Sequence, residues 1–155
     1  MFSNDLIIKI INYLDNNLYK KVSIDELTRI FHYNKDYIMR LFKREIGFTI
    51  VQYVNNKRIY NSLPAFNSKD LSILNISINY GFYSQEYYCE IFHKVIGVPP
   101  STYYKFINLN HDISEKDISL IQFNVALLEY KFRRINEYLN NIPPKSTIKV
   151  LSVFK

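Results

Sequence analysis

One cysteine, three glycines and five prolines are all that this 155-residue chain holds of the residues that cross-link, bend or break a backbone. The lone Cys89 excludes an internal disulfide and fits a reducing compartment. With so little glycine there is no Gly-rich loop to cradle a phosphate, and no serine stands in a nucleophile-elbow context. Long apolar runs are missing too: each is broken by Asn, Lys or Asp well short of the ~20 residues that span a bilayer. The first residues, Met1-Phe2-Ser3-Asn4-Asp5, lack the basic start, apolar stretch and small-residue cleavage site of a signal peptide. These absences predict a cytoplasmic protein with no membrane association. There is no basic tail either, because the excess charge of +6 is spread as +2 in each of residues 1–48, 49–106 and 107–155.

What is present is globular: 48% apolar and 22% charged residues, enough to bury a core in one domain or one domain plus a fragment. A pI near 9.3 favours a polyanionic partner, but only clustering of the cations on one face would mark a binding surface. Scarce glycine and proline with apolar residues at i, i+3 and i+4 predict an all-α chain. The first helix runs from Asp5 to Leu18, with Leu6, Ile7, Ile10, Ile11 and Leu14 as its buried stripe. Ser23-Ile24-Asp25-Glu26 and Thr49-Ile50-Val51-Gln52 read as capping boxes opening the second and fourth helices. A third helix runs from Lys35 to Glu45, and Gly47 is placed to close it in the left-handed region. Pro64 ends or kinks the fourth helix. A fifth (Ser72–Tyr80), a sixth (Ser84–Ile96, stopped by Gly97) and a short seventh opened by Pro100 and running through Tyr104 follow.

Two stretches share one build. SIDELTRIF is joined by a short turn to NKDYIMRLFKREIG, and SILNISINY is joined by Gly81-Phe82-Tyr83 to SQEYYCEIFHKVIG. Each is a short helix, a tight turn and a second helix, which is a helix-turn-helix unit repeated in tandem. Thr28 and Ser77 supply the small residue where the helices cross, and His32 and Gly81 stand where the turn favours positive φ. Ile38, Leu41 and Phe42, and likewise Tyr88, Ile91 and Phe92, should bury one side of each second helix. The opposite side is then free to lie in a major groove.

With these residues the chain resembles the DNA-binding domain of AraC-type regulators, and its second unit is most similar to the MarA- and Rob-like branch. The similarity lies in YGFYSQEYYCEIFHKVIGVPPSTYYKF, with Gly81-Phe82, Ser84-Gln85, Phe92, Gly97, Pro99-Pro100 and Tyr103, and in Arg58-Ile59 on the connecting helix. It covers about 100 of the 155 residues. The resemblance implies a sequence-specific transcription regulator, an activator, whose two recognition helices enter successive major-groove segments about 34 Å apart. It implies double-stranded DNA and RNA polymerase as partners, with no cofactor, metal or catalysis. The fold expected is seven helices of tandem helix-turn-helix joined by a linker helix, then a C-terminal amphipathic helix and a terminal strand.

The outward residues of the first recognition helix are Lys35, Asp36, Met39, Arg40 and Lys43. Arg40 is the leading base contact, because a guanidinium donates twice to guanine O6 and N7. Lys43, Arg44 and Lys35 suit phosphates, which position a protein without reading sequence. Asp36 can only accept from a cytosine amino group or cap its helix, and capping is favoured. On the second recognition helix Gln85 suits adenine, while Ser84, His93 and Lys94 suit phosphate. Glu86 and Glu90 occupy base-facing positions but would be repelled by a polyanion, so the first unit should supply most specificity. Arg58 is expected to be structural, pairing with a carboxylate on the linker helix.

The competing readings are a protein-interaction module built on a degenerate helix-turn-helix pair, and a thiol or metal enzyme built on Cys89 and His93. The latter lacks the three or four converging ligands that zinc requires and any group to activate the thiol. Residues 1–106 are thus expected to form the DNA-binding domain and 107–155 a helical extension, the start of an effector or dimerisation domain. Ser114 opens a long helix over Ile118–Asn140 with Ile121, Val125, Leu128, Phe132, Ile135 and Leu139 on one stripe. That stripe could pack back on the chain or pair two copies as a homodimer. Thr147–Phe154 alternates like a strand, which predicts a chain continuing into a further domain.

Overall fold

The computed structural model describes residues 2–109 and 112–141. Among them every regular element is helical: α1 (Phe2–Asn16), α2 (Ile24–Phe31), α3 (Lys35–Ile46), α4 (Ile50–Ser62), α5 (Ile73–Asn79), α6 (Gln85–Ile96), α7 (Pro100–Ile107) and α8 (Glu115–Asn140). A 3-10 turn over Leu63–Asn67 follows α4 and carries Pro64 near its start, so the proline stops the α-helix where its missing amide requires. The strand expected over Thr147–Phe154 lies outside the described residues.

Caps set most boundaries. Gly47 (φ 89°) and Gly97 (φ 95°) close α3 and α6 in the left-handed region as their positions predict. Ser72, Ser84 and Ser114 each accept the backbone amide three residues on, at 3.0–3.1 Å. The Thr49–Gln52 box is reciprocal: Gln52 N donates to Thr49 Oγ1 at 3.1 Å and Thr49 N to Gln52 Oε1 at 2.9 Å. The Ser23–Glu26 box does not form, since Ser23 makes no side-chain cap bond. Glu26 is drawn elsewhere, to Arg29 at 3.7 Å and to the Tyr13 hydroxyl, whose pKa rises through burial and through that carboxylate. Asp36 does not cap α3 either. Asn34 does, its side chain accepting from Asp36 N at 2.8 Å, because a cap must sit outside the first turn.

The chain gathers into two compact units, residues 1–54 with 130–155, and residues 55–129. Their limits fall inside α4 and α8, whereas the sequence division at 106 falls at the end of α7. The first unit buries Ile7, Ile10, Ile11 and Leu14 of α1 around Leu27, Ile38, Leu41 and Phe42, and takes in Ile135 and Leu139 of α8. Its buried Tyr53 donates a hydrogen bond to Asp15 Oδ1 at 2.8 Å, and burial drives the pKa of that phenol far up. The second unit buries Ile59, Phe66, Ile76, Tyr88, Phe92 and Ile96, with Ile121 of α8. Here Ser62 Oγ gives its proton to the Ile59 carbonyl at 2.7 Å, so the 2.8 Å contact with Tyr88 has the tyrosine as donor. The stripe on α8 is therefore spent inside the chain.

Two glycines of similar φ make an internal comparison. A Cβ at Gly47 would meet nothing within 4 Å, but at Gly97 it would come within 2.6 Å of Asn124 Nδ2. That amide donates to the Ile96 carbonyl at 2.9 Å. Gly47→Ala is expected to cost about 1 kcal/mol, the usual left-handed penalty. Gly97→Ala should cost roughly 2–3 kcal/mol, because Asn124 must also leave its carbonyl. Tyr53→Phe should cost about 1–2 kcal/mol by removing the buried phenol's hydrogen bond to Asp15 Oδ1. Urea unfolding of the three variants checks these values.

Candidate nucleic-acid interface

Each helix-turn-helix unit begins with a crossing of short helices. Thr28 is half-buried and Ser77 fully buried, and each hydroxyl is satisfied by its own helix, donating to Asp25 O and Leu74 O at 2.7 Å. A small side chain with an internally paired hydroxyl lets the partner helix approach without leaving a polar atom stranded. The turns follow: His32 takes φ 58° and ψ 37°, and Gly81 φ 89°, so the expectation of a left-handed residue at both is met. His32 carries a Cβ there, an arrangement that costs more than glycine.

From these turns α3 emerges with Ile38, Leu41, Phe42 and Ile46 buried and with Lys35, Asp36, Met39, Arg40, Lys43 and Arg44 exposed. The five residues expected outward are thus exposed, and Arg44 with them. Arg40 Nε donates to the Asp36 carbonyl at 3.3 Å, a long bond along its own helix that leaves most of the guanidinium open. Lys43 folds over the helix end, its Nζ on Gly47 O at 3.0 Å. Four cations and one acid make this face strongly positive.

The equivalent surface of α6 differs in charge. Tyr88, Phe92 and Ile96 are buried, while Ile91 is only half-buried. Gln85, Glu86, Glu90 and His93 are exposed, with Cys89 half-covered among them. Lys94 is the one cation of α6 in Lys or Arg form, and it forms an exposed pair with Glu90 at 3.3 Å, which offsets that carboxylate. Ser84 is committed as the cap of α6, accepting from Tyr87 N at 3.0 Å. The Cys89 thiol is held up in pKa by burial and then by Glu86, the reverse of what a nucleophile needs. Among the described residues no three of His, Cys, Asp and Glu converge as a metal site.

Arg58 lies buried on α4 with its guanidinium carbon 5.8 Å from the centre of the Phe82 ring, so it packs on the turn of the second unit through cation–π contact. Asn55, on the same helix, donates to the Tyr87 hydroxyl at 2.9 Å. The linker helix thus holds both the turn and the first turn of α6. Sequence reasoning passed over one feature of this surface. Tyr33 stacks on Tyr37, and Tyr83 on Tyr87, in parallel fashion. The signal was present in the sequence as a tyrosine pair four residues apart, YNKDY and YSQEY, at the same place in both repeats.

With this geometry in place, comparison with known proteins is informative. Residues 27–105, about half of the chain, match the family described as helix-turn-helix domain. The chain is 27% identical over 107 residues to an uncharacterised HTH-type transcriptional regulator, YbfP of Bacillus subtilis, and 26% identical over 102 residues to the HTH-type transcriptional activator AarP of Providencia stuartii. The matches take in 69% and 66% of this chain, but 36% of YbfP against 76% of AarP. In solved structures the fold recurs in the C-terminal domain of AraT, a response regulator from Geobacillus stearothermophilus, with a TM-score of 0.60, 21% identity, and coverage of 71% of this chain and 88% of that one. Both recognition helices and the linker between them fall inside the matched stretch, and the chain belongs to the AraC-type helix-turn-helix family.

Proposed function

We propose that the chain is a sequence-specific, DNA-binding transcription regulator in which α3 is the principal reading helix. The observation that carries this is the outward face of α3: Lys35, Arg40, Lys43 and Arg44 around an exposed Met39, on a helix whose other side is locked into the core. Arg40 is the base-reading residue, with a guanidinium able to make the bidentate contact to guanine. Lys35, Lys43 and Arg44 hold the backbone. Asp36 and Met39 line the same groove wall, the first selecting cytosine and the second packing on apolar base edges. On α6, Gln85 and Glu86 are the candidates for reading, with His93 and Lys94 towards the backbone.

The AarP relative is named an activator, which supports activation here, with RNA polymerase as the partner this reading expects. No helix among the described residues is long and apolar enough to cross a membrane, which is consistent with work on cytoplasmic DNA. Catalysis has no part in this reading. A homodimer would have to use a surface other than the α8 stripe, since Ile121, Ile135 and Leu139 are buried within the chain.

The test is selection of duplex DNA from a random pool, followed by anisotropy titration against salt. The reading expects an enriched motif whose affinity falls as several powers of salt concentration, one power for each phosphate neutralised. Arg40→Ala should weaken that motif about tenfold or more and relax the choice of base at one position. Lys43→Ala should weaken all sequences alike and lower the salt slope by about one. No enrichment, together with a salt-insensitive protein partner, would favour a protein-interaction module, for which the acidic Glu86 is the surface cue.

A further inference from the structure

The two helix-turn-helix units carry one feature at the same register, a tyrosine pair of which only Tyr87 packs against a core, while Tyr33, Tyr37 and Tyr83 stand outside both. A tyrosine precedes the cap of each recognition helix, Tyr33 before Asn34 and Tyr83 before Ser84, and a second tyrosine lies four residues on, Tyr37 and Tyr87. The rings stack at 5.4 Å and 25° in the first unit and at 4.8 Å and 22° in the second. Apolar pairing at such positions ordinarily fixes the angle at which the chain joins a helix. Here Tyr33 and Tyr37 are 41% and 39% exposed, and Tyr83 is 82% exposed. The Tyr33, Tyr37 and Tyr83 hydroxyls make no hydrogen bond among the described residues, whereas Tyr87 is pinned by Asn55 at 2.9 Å.

Stacking immobilises a large side chain before any partner arrives, so little conformational entropy remains to be lost on binding. Helix N-termini and tyrosine side chains are among the groups by which a DNA-binding protein holds phosphate oxygens. A phenol there donates to a phosphate oxygen without bringing charge. That matters most for α6, whose single lysine is already engaged by Glu90.

Resting on the DNA-binding reading above, we propose that Tyr33 and Tyr83, each braced by the tyrosine stacked on it, donate hydrogen bonds to DNA phosphates and seat the two recognition helices. Each unit thereby adds a neutral donor to its cationic contacts, and the second, with fewer cations on its recognition helix, depends on it more.

The test compares the wild-type chain with Tyr33→Phe, Tyr83→Phe and the double variant, each titrated with the duplex selected by the wild type over a range of salt. Phenylalanine keeps the stack and removes only the hydroxyl. Each variant is expected to bind about three- to tenfold more weakly, with multiplicative losses in the double variant and an unchanged slope against salt, because no counterion is released by a phenol. Phenylalanine variants that bind like the wild type overturn the proposal and leave the pairs as local braces, as does a change of slope. Loss of thermal stability in Tyr83→Ala without loss of affinity in Tyr83→Phe overturns it in the same way. A wild-type chain that binds no duplex overturns the DNA-binding reading itself, and this inference with it.

Discussion

Everything functional here depends on the inner faces of α3 and α6 being buried. The 3.6-residue period then leaves no choice about the rest. Once Ile38, Leu41 and Phe42 are committed to the first core, residues 35, 36, 39, 40 and 43 must point away from it. Once Tyr88, Phe92 and Ile96 are committed to the second, 85, 86, 90 and 93 must do the same. The recognition surfaces are the by-product of core packing. Their chemistry could diverge freely for that reason, one face cationic and the other acidic, on a backbone held by nearly the same apolar pattern.

The region outside the family match contributes to this packing rather than standing apart. Ile135 and Leu139 of α8 belong to the first core and Ile121 to the second, and Asn124 reaches the carbonyl that ends α6. A cut after α7 would therefore strip buried apolar surface from both units, each fully buried aliphatic side chain being worth about 1.5–3 kcal/mol.

Helix existence, the two repeats and the outward residues were legible because they follow from apolar spacing, which is local. The Thr49–Gln52 box was legible for the same reason: both partners lie within one turn and nothing else competes for them. The Ser23–Glu26 box has the same letters, but Glu26 meets Tyr13 from a distant helix and Arg29 from its own, and tertiary context wins. The role of Asp36 was misplaced because capping needs a residue outside the first turn, and Asn34 was already there. For Arg58 the structure adds a contact with the Phe82 ring across the turn, which spacing cannot show. The stacked tyrosines could have been seen as a repeated Tyr-x-x-x-Tyr. Spacing alone does not tell an exposed tyrosine such as Tyr83 from a buried one such as Tyr88.

The bond between Asn124 and the Ile96 carbonyl has one more consequence. The last turn of α6 and the cap at Gly97 share a partner with the middle of α8, although about 28 residues separate them along the chain. Fraying of either segment exposes the same carbonyl, so neither gains by opening alone. Amides at the end of α6 and around Asn124 should then exchange with solvent as one cooperative block, protected together and released together. A helix end that would ordinarily be the loosest part of a recognition element is thereby tied to the stability of a helix far along the sequence.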